Sequence, residues 1–334
     1  MQQIQLGPEA GLDHLMLTSA PERPPGPGEV QVRVHASSLN YHDYLVAIGL
    51  LPATAGRVLM SDGAGEVVAV GEGVTAFTAG DRVISHFFPN WVDGVPGKDN
   101  LLGVPGDHAD GFACQLVTMP ERAFSAMPAH MSYAQGATLP CAGLTAWRAV
   151  IEEADLREGD WVLVQGSGGV SVFALQLARQ LGCRVIATTS SDTKAERLRR
   201  LGAQEVLNYR EQVEWGRAAT EISGGGVSLV IEVGGPGTVT QSVRALRMGG
   251  TISMIGVLTG ISGEVPLAEF FQRNAVMSGI TVGSHAHQAR MNAAMEEWEF
   301  EPVIDSSYPL AELADAFRHQ ESQKHFGKIV VDLS

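Results

Sequence analysis

The stretch WVLVQGSGGVSVFALQLARQLGCRVIATTSSD, from Trp161 to Asp192, decides the fold. It starts with the apolar run WVLVQ (161–165), passes through a glycine-rich turn into an apolar-faced helical segment, and ends in a second apolar run, RVIAT (184–188). Continuous apolar runs are typical of parallel strands that are covered on both faces. The order strand, turn, helix, strand therefore predicts a βαβ unit.

The same rhythm continues through the middle of the chain. Helical stretches such as VSVFALQLARQLG and DTKAERLRRLGA reach Gly182 and Gly202 at or next to their last position, and Gly is the residue favoured just past a helix C-terminus. Six strands in this order predict a doubly wound α/β fold of the Rossmann type, with a parallel six-stranded sheet. After the first two, the predicted strands are EVLN (205–208), SLVIEV (228–233), TISMI (251–255) and MSGITV (277–282).

The turn between the first strand and its helix has the composition of a phosphate-binding loop. Glycine lets backbone amides approach a pyrophosphate closely, and the helix N-terminus adds partial positive charge. Ser171 stands at the third glycine position of the G-x-G-x-x-G pattern, where a small residue still allows close packing of helix and strand. The turn predicts a nicotinamide dinucleotide site built on Gly166, Ser167, Gly168, Gly169 and Val170.

The end of the second strand bears on the choice between NADP and NAD. An NAD-specific site usually places Asp or Glu there, against the ribose 2′-hydroxyl. Thr189 occupies that place, and Ser190, Ser191 and Lys194 follow with donors suited to a 2′-phosphate. This pattern favours NADP, while Asp192 keeps NAD as the alternative. Under the purely structural interpretation, Ser190 and Asp192 cap the next helix and Lys194 lies in solvent.

Three further glycine-rich turns follow predicted strand ends, at 232–237, 255–260 and 282–286. Ligands of open parallel sheets lie beyond the carboxyl ends of the strands. These turns are therefore expected to face the adenosine or nicotinamide portions of the cofactor. The additional predicted cofactor residues at strand ends are Tyr209, Gly234, Ile255, Gly256, Val257, Val282, Gly283 and Ser284.

The two ends of the chain have a different pattern. The first 125 residues hold short alternating runs, such as EVQVRVHA (29–36), between Gly and Pro clusters, which indicates antiparallel strands. The last 50 or so residues are helical and end in the strand KIVVDL (328–333), which does not extend the six-strand series. We therefore predict a discontinuous mainly β domain (1–125 and 284–334) and a dinucleotide-binding domain (126–283).

Composition narrows the class of protein. A formal net charge of −14 argues against general binding to nucleic acid or anionic membranes, since phosphates reward clustered Lys and Arg. The isolated Cys114, Cys141 and Cys183 form neither a disulfide framework nor a close-spaced zinc cluster. No secretion signal or long apolar run is present, so we expect a cytoplasmic protein with a small-molecule substrate.

Motifs along nearly the whole chain resemble the medium-chain dehydrogenase/reductase superfamily, in its zinc-independent quinone oxidoreductase-like and alcohol dehydrogenase-like branches. The resemblance implies a GroES-like catalytic domain beside the Rossmann domain, a cofactor contact at Lys328, and a homodimer formed through the edge strand at 277–282. The motifs are SSLNYHDYLVAIG (37–49), SDGAGEVVAVGEGV (61–74), AGDRV (79–83), DGFACQLV (110–117), ATLPCAGLTAW (137–147), VLVQGSGGVS (162–171) and HFGKIVV (325–331).

Zinc-dependent members of this superfamily hold the metal with Cys, His and Cys, and the matching positions here are Asn40, Asp62 and Cys141. Zinc prefers thiolate and imidazole ligands, so this set is poor. The stretch near 90–110, where the family's structural-zinc cysteines would fall, contains no Cys. We expect no metal, and weak binding through Asp62 and Cys141 is the alternative.

Without zinc, negative charge on the acceptor oxygen must be met by placed donors. By resemblance, the NYHD cluster reaches the nicotinamide face, and His42 replaces the Ser or Thr that begins the proton relay of zinc-dependent relatives. Histidine suits proton transfer near neutral pH. Under the structural interpretation of the cluster, Asn40 or Asp43 caps a short helix and the aromatic rings pack. The candidate catalytic residues are Asn40, Tyr41, His42 and Asp43.

The leading functional hypothesis is an NADPH-dependent reductase of an activated C=C bond or a quinone, because a conjugated acceptor needs less Lewis-acid help than a ketone. One alternative is an alcohol or aldehyde dehydrogenase, either zinc-free or with a weakly bound metal. The other is a non-catalytic NADPH-binding protein of the crystallin-like kind, although the polar NYHD cluster would have no purpose there.

Overall fold

The structure is a computed structural model that describes all residues from 1 to 334, and the chain divides into two compact units. The first contains Met1–Leu144 and Val282–Ser334, and the second contains Thr145–Thr281. None of the helices combines the length and the apolar character that crossing a lipid bilayer requires.

The first unit is mainly β, as expected of a GroES-like domain. Short 3₁₀ turns at Leu12–His14, Asp99–Leu101 and Glu121–Ala123 interrupt its loops. Its N-terminal elements are β1 (Gln2–Gln5), β2 (Met16–Ser19), β3 (Glu29–Ser38), α1 (Tyr41–Ala47), β4 (Asp62–Val70), β5 (Arg82–Ser85), β6 (Leu116–Pro120), β7 (Phe124–Ala126) and α2 (Tyr133–Gly136).

The second unit has the predicted Rossmann fold. An irregular helical segment, in which π-helical turns (Leu139–Gly143 and Arg148–Glu152) flank α3 (Leu144–Trp147), crosses the start of this unit and precedes its first strand. Its elements are β8 (Trp161–Gln165), α4 (Gly169–Gln180), β9 (Arg184–Thr189), α5 (Asp192–Arg200), β10 (Glu205–Asn208), α6 (Trp215–Ser223), β11 (Val227–Glu232), α7 (Val239–Ala245), β12 (Leu246–Met254), α8 (Leu267–Gln272) and β13 (Val276–Gly279).

The six strands of this unit are all parallel and lie in the order β10-β9-β8-β11-β12-β13. The glycines predicted to end the first two helices, Gly182 and Gly202, have φ values of +74° and +102°. This is the left-handed conformation that favours glycine. The last strand ends before the predicted residue 282, where Val282 turns the backbone with φ +46°.

The C-terminal segment returns to the first unit, as predicted. Its strand β15 pairs antiparallel with β3, so Val330 lies opposite Ser38 in a seven-stranded sheet. This pairing places the start of β15 beside the β3–α1 connection. The segment contains α9 (His285–Glu297), β14 (Ile304–Pro309), a 3₁₀ turn (Leu310–Glu312), α10 (Leu313–Glu321) and β15 (Lys328–Asp332).

The first boundary between the units lies later in the chain than the position predicted near residue 125. Residues 126–144 belong to the first unit because Ala126 pairs with Val83 of β5, and Met127 donates its amide to the Arg82 carbonyl. The second boundary lies before Val282, close to the predicted residue 283.

Candidate cofactor and catalytic sites

The glycine-rich turn of the second unit begins directly after β8. Gly166 has φ +72° and donates its amide to the Thr188 carbonyl, which joins the turn to β9. A Cβ added at Gly166 would meet no atom within 4 Å. The turn therefore has the left-handed backbone that glycine permits and open space above it.

The helix that follows presents its N-terminus at this turn. Gly168 is the N-cap of α4, and no side chain caps the helix. The first amides of a helix lack intrahelical partners and attract anions. Ser171 is buried, and its hydroxyl donates to the Gln165 carbonyl at 2.6 Å, so this side chain turns away from the open side of the turn. The residues present fit a bound pyrophosphate.

The residues predicted near a 2′-phosphate have mixed roles. Thr189 is buried, and its hydroxyl accepts from the Ser191 amide at 3.3 Å. Ser191 is the N-cap of α5 and accepts from the Lys194 amide, so the helix cap is Ser191 and not Ser190 or Asp192. Tyr209 is exposed and donates its amide to the Thr189 carbonyl, which places its main chain at the end of β9.

The turns after β11 and β12 are joined to each other. The backbone carbonyl of Glu232 accepts from the amides of Ile255 and Gly256 at 2.8 and 3.1 Å. A Cβ at Gly256 would lie 2.3 Å from the Val233 carbonyl oxygen, so this close approach requires glycine. Gly234 is buried, whereas Val257 is exposed.

The other predicted cofactor residues lie in the first unit. Val282 and Ser284 are buried, and the Ser284 hydroxyl caps α9 by accepting from the His287 amide. Gly283 has no room for a side chain, because an added Cβ would lie 2.9 Å from a carbon of Leu144. Ser284 is therefore a helix cap in this structure.

The NYHD cluster begins α1, and much of it is structural. The Asp43 carboxylate is buried, with one oxygen accepting from the Asn40 amide and the other from the Ser61 amide, both at 2.9 Å. Burial raises the pKa of Asp43 to about 6. Tyr41 is exposed and stacks on Tyr44. Asp43 thus fixes the loop, and Tyr41 lies on the surface.

A buried lysine ammonium is the centre of the polar cluster beneath this loop. Lys328 is only 4 % exposed, and its Nζ donates to the Leu39 carbonyl and to Asn40 Oδ1, both at 2.5 Å. The same Nζ lies 3.8 Å from Asp62 Oδ2. Asn40 Nδ2 donates to the Ser61 hydroxyl at 3.1 Å. These contacts fix the Asn40 amide at both of its ends.

His42 lies beside a carboxylate that the sequence analysis did not identify. Its Nε2 is 3.3 Å from Asp107 Oδ2, and His108 Nδ1 lies 3.8 Å from the same oxygen. The His42 ring also packs edge-on against Phe87. Burial lowers the pKa of His42, and the Asp107 carboxylate opposes that shift. Asp107 comes from a Gly-rich and Asp-rich loop whose shape no periodicity reveals.

Comparisons with known proteins agree with this architecture. The family model described as an alcohol dehydrogenase GroES-like domain matches residues 26–129, and the model described as a zinc-binding dehydrogenase matches residues 169–299. A zinc-type alcohol dehydrogenase-like protein of Schizosaccharomyces pombe is 39% identical over 317 residues, which are 92% of this chain and 91% of the relative.

Two solved structures illustrate the range of neighbours. The crystal structure of an NAD-dependent alcohol dehydrogenase superposes with a TM-score of 0.92, at 32% identity and with 100% of both chains covered. The 2-octenoyl-CoA carboxylase reductase CinF, in complex with NADP and 2-octenoyl-CoA, has a TM-score of 0.90 at 26% identity, covering 99% of this chain and 87% of CinF.

This protein belongs to the medium-chain dehydrogenase/reductase superfamily. It is an oxidoreductase, and its relatives include, besides the alcohol dehydrogenase-like protein, the acryloyl-coenzyme A reductase of Metallosphaera sedula, which is 29% identical over 92% of this chain and 93% of the relative.

Zinc, which the name of one family model implies, does not fit the residues at the corresponding position. Asn40 offers an amide oxygen that already accepts from the Lys328 ammonium. Burial raises the pKa of Asp62 to about 7, and burial, with Asp62 nearby, raises the pKa of the Cys141 thiol well above its usual value. Zinc requires deprotonated ligands, and a neighbouring ammonium repels a second cation.

Proposed function

We propose that this protein is an NADPH-dependent reductase that transfers hydride to an activated C=C bond or a quinone without catalytic zinc. The observation that carries the proposal is the Lys328 ammonium, which lies against Asn40 and Asp62 where zinc-dependent relatives hold their metal. A polarised conjugated acceptor is the substrate class that least needs a Lewis acid. The enoyl-CoA ligand of CinF supports the same class.

The nicotinamide, when bound, supplies the hydride. The chain supplies the proton that completes the reduction, and His42 is the group suited to it, since imidazole exchanges protons near neutral pH. Asp107 Oδ2 lies 3.3 Å from His42 Nε2 and raises the His42 pKa against the larger lowering caused by burial. The fixed Asn40 amide beneath the loop keeps this segment in place.

The preference for NADPH over NADH is also proposed. Thr189 ends β9 with a short neutral side chain where an acid would repel a 2′-phosphate. The NADP in the CinF structure supports the proposal, whereas the NAD-dependent alcohol dehydrogenase among the neighbours represents the alternative. Homodimer formation through β13, which lies at the edge of the sheet with Val276 exposed, stays a prediction.

Steady-state assays with a panel of enones, quinones, ketones and alcohols test the proposed reaction. We expect NADPH-dependent reduction of an enone or a quinone that a chelator leaves unchanged, in protein whose metal analysis shows well under one zinc per chain. Dominant oxidation of alcohols that a chelator abolishes would contradict the proposal and favour the alcohol dehydrogenase alternative. Tight NADPH binding with no turnover of any acceptor would favour the non-catalytic alternative.

The substitution Asp107→Asn is expected to move the alkaline limb of the pH–rate profile. Reduction needs a proton on His42, so the rate falls as pH rises through the His42 pKa. Asp107 and Asp62 raise that pKa, whereas burial and His108 lower it. Loss of the Asp107 charge therefore shifts the limb to lower pH by about one unit, or ~1.4 kcal/mol.

The matched control for this variant is His108→Asn, because His108 is more exposed and lies farther from the shared oxygen. It should move the limb only slightly, and in the opposite direction. If Asp107→Asn left the alkaline limb of the pH–rate profile unchanged, His42 would not be the proton donor.

A further inference from the structure

One carboxylate of the Rossmann unit is fully buried and has five hydrogen-bond donors around it. Glu232, at the end of β11, has 0% exposure. No cation contacts it, and a buried carboxylate is tolerated only when hydrogen bonds replace its hydration. Oε1 accepts from the amides of Gly234 (2.8 Å) and Gly235 (2.9 Å) and the hydroxyl of Thr238 (2.6 Å), and Oε2 accepts from Gln165 Nε2 (2.7 Å) and the hydroxyl of Ser242.

These bonds join two turns that are far apart in sequence. Gln165 is the last residue of β8, and the phosphate-binding turn follows it directly. Its own Oε1 accepts from the Val233 and Gly234 amides, both at 3.2 Å. Gln165 and Glu232 therefore form a reciprocal pair that holds the turn after β8 against the turn after β11.

The position of this pair in the sheet connects it with ligand binding. The strand order reverses between β8 and β11, which are hydrogen-bonded neighbours. Ligands of doubly wound sheets bind in the crevice outside the carboxyl ends of the strands at such a point. The Glu232 main-chain carbonyl also accepts from Ile255 and Gly256, so a third turn is held by the same residue.

We infer that Glu232 is a positioning residue of the dinucleotide site, and that its buried carboxylate sets the distance between the turns after β8 and β11. The inference rests on the proposed function, because it requires that a nicotinamide dinucleotide bind there. Glu232 contacts backbone and neighbouring side chains only, so it acts by fixing where the amides of the glycine-rich turn point.

Exchanging the two side chains of the Gln165–Glu232 pair separates a positioning role of Glu232 from the effect of burying its side chain. Glu232→Gln alone turns an amide NH₂ toward Gln165 Nε2 or toward the Gly234 and Gly235 amides, so donors face donors. The double variant Gln165→Glu/Glu232→Gln gives every donor an acceptor again. Ser242 adapts, because its hydroxyl, which accepts from Gln165 at 2.8 Å, can rotate to donate to Glu at 165 and accept from Gln at 232. Net charge is unchanged by the swap.

The test measures dissociation constants for NADPH and NADH by nicotinamide fluorescence, together with thermal unfolding without nucleotide. We expect Glu232→Gln to weaken NADPH binding about tenfold, the scale of one buried group losing its partner, and the swap to recover most of it. Glu221→Gln, on the exposed face of α6, is the matched control and should bind as the unsubstituted chain does.

Two results would overturn the inference. One is unchanged NADPH affinity in folded Glu232→Gln, even with a lower unfolding temperature, since the carboxylate would then support only the fold. The other is a stable double variant Gln165→Glu/Glu232→Gln that still binds NADPH about tenfold more weakly than the unsubstituted chain does. This second result decides the question if the single variant does not fold. If the unsubstituted chain binds neither NADPH nor NADH, the proposed function fails, and the role of Glu232 fails with it.

Discussion

Replacing Gly168 with valine is expected to reduce the affinity for both NADPH and NADH by at least about 100-fold, or ~2.7 kcal/mol. Gly168 is the N-cap of α4, and the proposed pyrophosphate approaches the helix amides at this point. A branched side chain there would hold the phosphates away from those amides. Nicotinamide fluorescence titrations with both nucleotides measure the effect.

The backbone at Gly168 makes this substitution informative. Its φ of −75° and ψ of 177° are accessible to every residue, so valine adds no backbone strain, and its cost in stability is the roughly 0.5–1 kcal/mol of a poorer helix N-cap. The matched control is Gly166→Ala, at φ +72°, where a side chain is strained by about 1 kcal/mol. That variant should lose stability with a smaller loss of affinity. If Gly168→Val bound both nucleotides normally, the turn would not be the phosphate site.

Removing the buried ammonium with Lys328→Met is expected to lower the free energy of unfolding by about 3 kcal/mol at pH 8. The substitution leaves the Leu39 carbonyl and Asn40 Oδ1 without their donor and leaves Asp62, which is fully buried, without its nearest cation. Urea unfolding at pH 6 and pH 8 measures the loss.

The loss of folding free energy in Lys328→Met should be smaller at pH 6 than at pH 8, because the Asp62 pKa lies between these two values. Burial raises that pKa to about 7 from its ordinary 3.8, although Lys328 lowers it. Protonated Asp62 therefore stabilises the folded state as pH falls below about 7, and without Lys328 the pKa rises further. The double variant Lys328→Met/Asp62→Asn removes both charges and should recover part of the loss at pH 8. An equal loss at both pH values would contradict the ion-pair interpretation.

The Rossmann unit was predictable because its signals are local. The central strands β8, β9 and β11 are nearly continuous apolar runs, and each early helix ends at a glycine that the structure holds at positive φ, as at Gly182 and Gly202. The prediction that the chain's end returns to the first domain also depended on one apolar run, KIVVDL, which forms β15.

The side-chain partners in the candidate site were not predictable, because they depend on contacts between distant segments. Lys328 reaches Asn40 across 288 positions of sequence, through the pairing of β15 with β3. Asp107 reaches His42 from a loop without periodicity. Glu232 was visible only as the first letter of a glycine-rich turn, and nothing in that pattern indicates that five donors converge on it.

The NYHD cluster shows the limit of reading residue types alone. Four polar or aromatic side chains in a row indicated a catalytic group, and the helix-cap interpretation stood beside it. The helix-cap interpretation holds for Asp43, which accepts from the Asn40 amide, whereas a catalytic role for His42, which lies beside Asp107, stays a prediction. The Ser61 amide, from another segment of the chain, donates to the second Asp43 oxygen. This contact gives Asp43 its structural role, and the residue types of the cluster do not indicate it.

Titration of the unsubstituted chain with NADPH and with NADH tests the central claim most directly, because the proposed hydride transfer requires a nicotinamide dinucleotide held at the 166–171 turn. We expect saturable binding of NADPH at one site per chain, tighter than binding of NADH. Failure of both nucleotides to bind at concentrations of about 1 mM, where even contacts worth ~4 kcal/mol would register, would contradict it.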